Sequence, residues 1–236
     1  RQKILPLREL LDGAPHWNKR LVQTMRPSPE TGTDAEVLRQ TREDRALRSC
    51  VGPFRLDTLN QWWGPDGWVA LARNGLWQSH NGKLRCIDNG RTSSSNLATT
   101  EGEQLRVITG DIVAGQARWV LRHVPPDLRP HFQLVGYSED WKRGYRQRAA
   151  NLDSLRFNVV AFYHCERKEV LFWVYFALLF GLLSSVLAFN RTPALLTAVS
   201  RRVLAVPRFH YFDDTGAVEF QHLSVLGKRL INMLHE

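Results

Sequence analysis

The stretch Tyr211-Phe212-Asp213-Asp214 decides how the whole chain is read. Ahead of it, Ala194 to Ser200 carries apolar residues at helical spacing and ends in Arg201-Arg202. A strand-like run from Val203 to Phe209 then leads into the acidic pair. Behind it, Thr215-Gly216 is a turn signal and Val218 to Phe220 a second apolar run. The expected unit is helix, strand, acidic tip, strand. Adjacent residues in extended backbone point to opposite faces, so one of the two carboxylates serves any given site. Two metal ions on a phosphate chain need at least two carboxylates on one side, so another acid has to join them. Asp140 is the candidate. It follows the strand-like segment Phe132 to Val135 and opens Asp140-Trp141-Lys142-Arg143-Gly144-Tyr145.

Further upstream, Asn81-Gly82 lies between Leu76–His80 and Lys83–Ile87 and is the best short hairpin signal, because both residues accept positive φ. A two-residue turn there pairs His80 with Lys83. It places Lys83, Arg85 and Ile87 on one face and Leu84 and Cys86 on the other. Two cations side by side on an extended ribbon suit the oxygens of a triphosphate, and equally suit an ordinary solvated face.

In this order the segments resemble the reverse transcriptases. Lys83-x-Arg85-x-Ile87 followed by Asn89-Gly90-Arg91 is similar to their fingers strand, which grips the triphosphate. Asp140 with Tyr145 resembles their first catalytic motif, an aspartate ending a palm strand and an aromatic that selects against a 2′-hydroxyl. Phe180-Gly181 with Ser184-Ser185 and Phe189 resembles the second, and Tyr211-Phe212-Asp213-Asp214 the third. The resemblance covers about residues 69 to 228. It implies an α+β fold, a polymerase palm and fingers with an antiparallel sheet backed by helices, and a missing thumb. It also implies that Asp140 and Asp213 bind two magnesium ions and that Asp214 supports the site. Lys83 and Arg85 would neutralise the triphosphate, Tyr145 would lie under the sugar, and Phe180 and Gly181 would border the nucleotide. The implied partners are an RNA or DNA template with its primer and deoxynucleoside triphosphates, with no membrane. Three residues depart from the family pattern: Leu179 where proline is usual, Asn89 where aspartate is usual, and Lys228 where tryptophan follows Leu226-Gly227. A truncated or inactive polymerase is therefore one expected outcome.

Composition agrees with a polyanionic partner. The net charge is +9, with 43% hydrophobic and 23% charged residues, ordinary values for a globular chain. Cys50, Cys86 and Cys165 are odd in number and widely spaced, which fits neither a disulfide framework nor a zinc site and suits an intracellular setting, cytoplasmic or nuclear. Residues 1–32, rich in Pro, Gly and charge, read as a loosely ordered arm; 33–131 as an N-terminal helix and fingers; 132–236 as a truncated palm. Thr33-Asp34-Ala35-Glu36 reads as a capping box opening a helix to about Ser49. Further helices are expected at about Glu101 to Arg106, over Asp111 to Arg122, and at about 141–150 and 184–202. The tryptophans Trp62, Trp63, Trp68 and Trp77 suit core packing or stacking on unpaired bases.

Val170 to Phe189 supports a rival reading. It contains no charged residue and is long enough to cross a bilayer, so a membrane-anchored protein with one transmembrane helix at 170–189 is one alternative. A non-catalytic basic nucleic-acid-binding module is another. The first half is β-branched and aromatic, Gly181 interrupts it, and the second half is rich in Leu, Ala and Ser. A buried strand, a glycine turn and a helix account for that shift, and the polymerase reading expects them.

Overall fold

The computed structural model describes residues 4–99 and 108–234. The helix expected at about Glu101 to Arg106 falls outside them. In chain order the first elements are α1 (Leu7–Thr24), α2 (Thr33–Ala46), β1 (Cys50–Phe54), α3 (Leu56–Trp63), β2 (Ala70–Gln78) and β3 (Lys83–Asn89). Then come α4 (Gly110–Arg122), β4 (Leu134–Asp140), β5 (Val159–His164), β6 (Glu169–Tyr175) and α5 (Leu183–Arg202). The chain closes with β7 (Arg208–Tyr211), β8 (Asp214–Phe220) and α6 (Gln221–Met233). The fold is α+β, with sheets backed by helices. It divides into two compact units, Arg1–Gly102 with Tyr145–Val186, and Glu103–Gly144 with Leu187–Glu236. The division is interleaved, because contacts gather residues by sheet and not by sequence order.

The first unit is built on a five-stranded sheet in the order β1-β6-β5-β2-β3, antiparallel except between β2 and β5. Period-two alternation sends its side chains to two separate cores. Leu171, Trp173 and Tyr175 of β6 join Val160 and Phe162 of β5 beneath Val37 and Leu38 of α2. Val170, Phe172 and Val174 go the other way, to Val159, Ala161, Leu59 of α3 and Leu21 of α1. A strand buried on both faces reads as one continuous apolar run. That is the origin of the uncharged stretch at 170–189: β6, then a turn with Gly181 at φ +121°, then the start of α5. Among the described residues no helix is long and apolar enough to cross a membrane.

The second unit carries a three-stranded antiparallel sheet in the order β4-β8-β7. Val206, Ala217 and Ile231 form its buried cluster, with Tyr137, Leu204 and Leu230 packed on it, so α6 and the segment after α5 close over one face.

Four local expectations are corrected. The arm at 1–32 is not loose, because α1 occupies Leu7–Thr24. Leu10, Ala14, Asn18 and Leu21 lie at helical spacing on its buried side, and Asn18 bonds to Trp68 O and Ala70 N at 2.9 and 3.0 Å. The capping box does not form: Gly32 is the N-cap residue, and the Thr33 hydroxyl accepts from Trp77 Nε1. The β2–β3 loop has four residues, not two, with Gln78 opposite Lys83 and the Gly82 N–H on Gln78 O. Residues 141–150 hold a 3₁₀ turn at Gly144–Gln147 in place of an α-helix. Gly144 packs so closely on Phe189 that a Cβ there would stand 2.9 Å from its ring.

Candidate active site

The acidic tip is a two-residue turn. Tyr211 pairs with Asp214, leaving Phe212 and Asp213 to reverse the chain. The expected turn residues Thr215 and Gly216 lie instead inside β8, buried, where a Cβ on Gly216 would come 2.5 Å from Tyr137 O. Phe212 takes φ 52°, a conformation that a bulky residue adopts at a cost and that gathers at functional sites. Its ring meets Tyr211 edge-on at 4.9 Å.

Register settles which carboxylates meet. Asp140, the last residue of β4, lies directly opposite Asp214, the first of β8. Residues paired this way share a face, with β-carbons about 4.5–5.5 Å apart. Asp214, not Asp213, is thus the direct neighbour of Asp140. Asp213 is joined to them through the backbone, its carbonyl accepting from the Trp141 N–H at 3.0 Å. Trp141 is fixed in turn by Phe189, edge-on at 5.6 Å. The face that Asp140 and Asp214 share also carries Gly136, Ser138 and Tyr211, all exposed. The opposite face presents Tyr137, Ala217 and Arg208 to the interior. One side of the sheet is therefore core, while the other is exposed around Gly136, Ser138 and the acids and carries Gly216 and Val218, both buried, between them.

Partial burial, then Asp213, then Asp140 raise the pKa of Asp214. The three carboxylates repel one another, a penalty that a bound cation removes. Among the described residues, no three His, Cys, Asp or Glu side chains gather closely enough to hold a metal ion unaided. Magnesium is commonly held by one or two carboxylates, with water and substrate phosphate completing the shell. The oxygen donors Asp140, Asp213 and Asp214 fit that chemistry as a partial shell.

The other predicted site residues belong to the first unit. Lys83 and Arg85 are exposed on one face of β3, with Leu84 buried on the other, and among the described residues neither enters an ion pair. Phe180 is exposed and stands edge-on to Tyr145 at 5.6 Å. A Cβ on Gly181 would fall 1.9 Å from Asp88 O, so only glycine fits there. Two of the departures have local explanations. Leu179 is fully buried in the core with Tyr175 and Leu182, and Asn89 Oδ1 accepts from the Arg91 and Thr92 N–H groups, a role that aspartate also fills. Of the tryptophans, Trp68 is fully buried while Trp62 is about half exposed.

No protein-family model matches the chain, and no curated protein does.

Two groups escape a reading of the sequence. Asn96 lies in the polar run Arg91–Asn96, and its side chain bonds to Gly181 O and the Leu183 N–H. The buried pair Arg73 and Asp88 gives no local signal, since its members meet only across the β2–β3 ladder.

Proposed function

We propose that this chain is the catalytic part of a template-directed nucleotidyl transferase, a DNA polymerase of the reverse-transcriptase kind, with palm and fingers corresponding to its two units. The observation that carries the reading is the register of β4 against β8. It sets Asp140 opposite Asp214, with Asp213 joined through Trp141, at an exposed end of the sheet. Nucleotide addition is phosphoryl transfer, for which a protein contributes positioning and charge neutralisation more than covalent chemistry.

Asp140, Asp213 and Asp214 would hold magnesium, which when bound neutralises phosphate charge and lowers the pKa of the attacking hydroxyl. Gly136 and Ser138 leave the neighbouring face low and open for the end of a nucleic-acid strand. Lys83 and Arg85, exposed and in no ion pair among the described residues, would take the triphosphate oxygens. The Tyr145–Phe180 pair would border the sugar and base. The net charge of +9 favours the template as a polyanion.

The test is incorporation of deoxynucleotides on a primed RNA or DNA template with magnesium, comparing wild type with Asp213→Asn. Incorporation by wild type and its loss in the variant is the expected result. A wild type as inactive as Asp213→Asn rejects the reading.

A further inference from the structure

The serine-rich segment from Arg91 to Asn96 has the composition of a loop, yet it is folded into a bracket. The Asn96 N–H donates to Gly90 O at 3.0 Å, the Leu97 N–H to Ser94 O at 3.0 Å, and the Ser93 and Ser95 hydroxyls meet at 2.9 Å. From this bracket the Asn96 side chain reaches a distant part of the chain with both ends of its amide. Nδ2 donates to Gly181 O at 3.0 Å, and Oδ1 accepts from the Leu183 N–H at 2.9 Å. Leu183 opens α5, and the first amides of a helix have no partner within it, so Asn96 supplies a cap from elsewhere in the sequence.

The turn is held from a second direction as well. The Asp88 N–H donates to Phe180 O at 3.0 Å, and Gly181, at φ +121°, sits directly against the Asp88 carbonyl. Asp88 cannot give way, because Arg73 grips its carboxylate through two bonds of 2.6 and 2.9 Å with both side chains buried. On the far side of the bracket, a Cβ on Gly90 would stand 2.8 Å from Asn96 Oδ1. Backbone on one side and an amide on the other leave the Phe180–Gly181 turn a single position.

We propose that Asn96 is a positioning residue for the incoming nucleotide, resting on the polymerase reading above. Its two hydrogen bonds set the turn that presents Phe180. The Phe180 ring stands edge-on to Tyr145, so the turn also sets the room left for the sugar of the nucleotide. Asn96 touches no substrate; it acts through the turn. A displacement of about 1 Å in such a support can lower a rate by a factor of the order of a hundred.

The experiment measures binding of deoxyribo- and ribonucleoside triphosphates, with magnesium, to wild type, Asn96→Ala and Asn96→Asp. It is paired with hydrogen exchange at the Leu183 amide and with primer–template binding. Asn96→Ala is expected to lose Leu183 protection, bind deoxynucleotides about tenfold more weakly and discriminate less against ribonucleotides. Its primer–template affinity should stay unchanged. Asn96→Asp keeps the acceptor for Leu183 but not the donor for Gly181, so it should keep the protection and lose less affinity. It also serves as the test should the alanine variant not fold. Wild-type affinity and discrimination in Asn96→Ala, where wild type itself binds, overturn the proposal and leave the polymerase reading standing. A wild type that binds no nucleotide removes that reading and the role of Asn96 with it.

Discussion

Each unit contains a dense group of charged side chains, and these two are built in opposite ways. In the first unit Asp88 and Asp44 are answered by Arg73 and Arg146. Arg73 donates to Asp88 through Nε and Nη2 and to the Tyr175 hydroxyl through Nη1, Tyr175 donates to Asp44 at 2.9 Å, and Arg146 reaches Asp44 at 3.2 Å. Both guanidinium groups lie 4.6 Å from the centre of the Tyr175 ring. Burial pushes the Arg73 pKa down, but Asp88 outweighs it and the net shift is upward, so the guanidinium stays charged. In the second unit Asp140, Asp213 and Asp214 stand together at an exposed edge, where partial burial and then the like charges of Asp213 and Asp140 raise the Asp214 pKa. Balanced charge in a core is architecture. Unbalanced charge at a surface raises the folded state's energy, and it is the pattern that active sites retain for a ligand to relieve.

The most severe way to break this comparison is to remove a charge from the balanced group. Asp88→Ala leaves Arg73 buried without its carboxylate and is expected to cost about 3–5 kcal/mol. Denaturant unfolding followed by tryptophan fluorescence measures this. Asp213→Ala, which removes a repelled charge from the edge, should cost little or stabilise. Equal losses in the two variants would erase the distinction drawn between the clusters.

Gly181→Ala probes the turn that leans on Asp88. The added carbon would meet a backbone carbonyl at 1.9 Å in a conformation unfavourable to side chains, and a loss of roughly 2–3 kcal/mol is expected. Gly82→Ala is the control. Gly82 has φ +62°, but nothing lies within 4 Å of its missing Cβ, so about 1 kcal/mol is expected. Thermal unfolding of the two variants side by side shows whether the balanced core holds the turn rigidly.

What was legible in the sequence followed from local pattern and from the chemistry of the acids. The helix at Asp111 to Arg122 came from apolar spacing, and the strand, turn and helix within 170–189 from a shift in composition about Gly181, whereas the pairing of Asp140 with the acidic hairpin was expected from the need for a second carboxylate and from the resemblance. What was not legible depended on partners distant in sequence. Pro and Gly obscured the stripe of α1, because the residues that bury it, Trp68 and Ala70, lie some fifty positions away. The turn signal Thr215-Gly216 misled because that glycine answers a close approach by Tyr137 and Phe209, not a chain reversal. Asn96 looked like loop for the same reason: both of its bonds span more than eighty residues.

A divalent cation should act on the unbalanced group alone. A ligand that binds only the folded chain stabilises it by about 2.7 kcal/mol at a hundredfold excess over its dissociation constant. Magnesium is therefore expected to raise the thermal midpoint of wild type by an amount that grows with its concentration. In Asp140→Asn and Asp214→Asn the shift should shrink towards zero, while Arg85→Ala should keep it in full. The measurement does not depend on polymerisation. A shift that survives both acid variants would place the bound cation elsewhere.

The smallest effect is the one the repulsion itself predicts. The Asp214 pKa in the folded chain lies above its ordinary value of 3.8, first through partial burial and then through Asp213 and Asp140. The folded state thus binds this proton more tightly than the unfolded state, and ionisation of Asp214 weakens the fold. Its contribution is most favourable below about pH 3.8 and is lost as pH rises through the higher folded value. Asp214→Asn removes the charge altogether. At neutral pH without divalent cation the variant should be slightly more stable than wild type, and the gap should close as pH falls towards 3.8. The largest part of the shift comes from burial and the rest from neighbours at an exposed edge, so salt near 0.15 M, with a screening length of about 8 Å, should reduce the gap without abolishing it. A variant less stable than wild type at neutral pH would mean that Asp214 already has a positive partner, and the two clusters would then be alike.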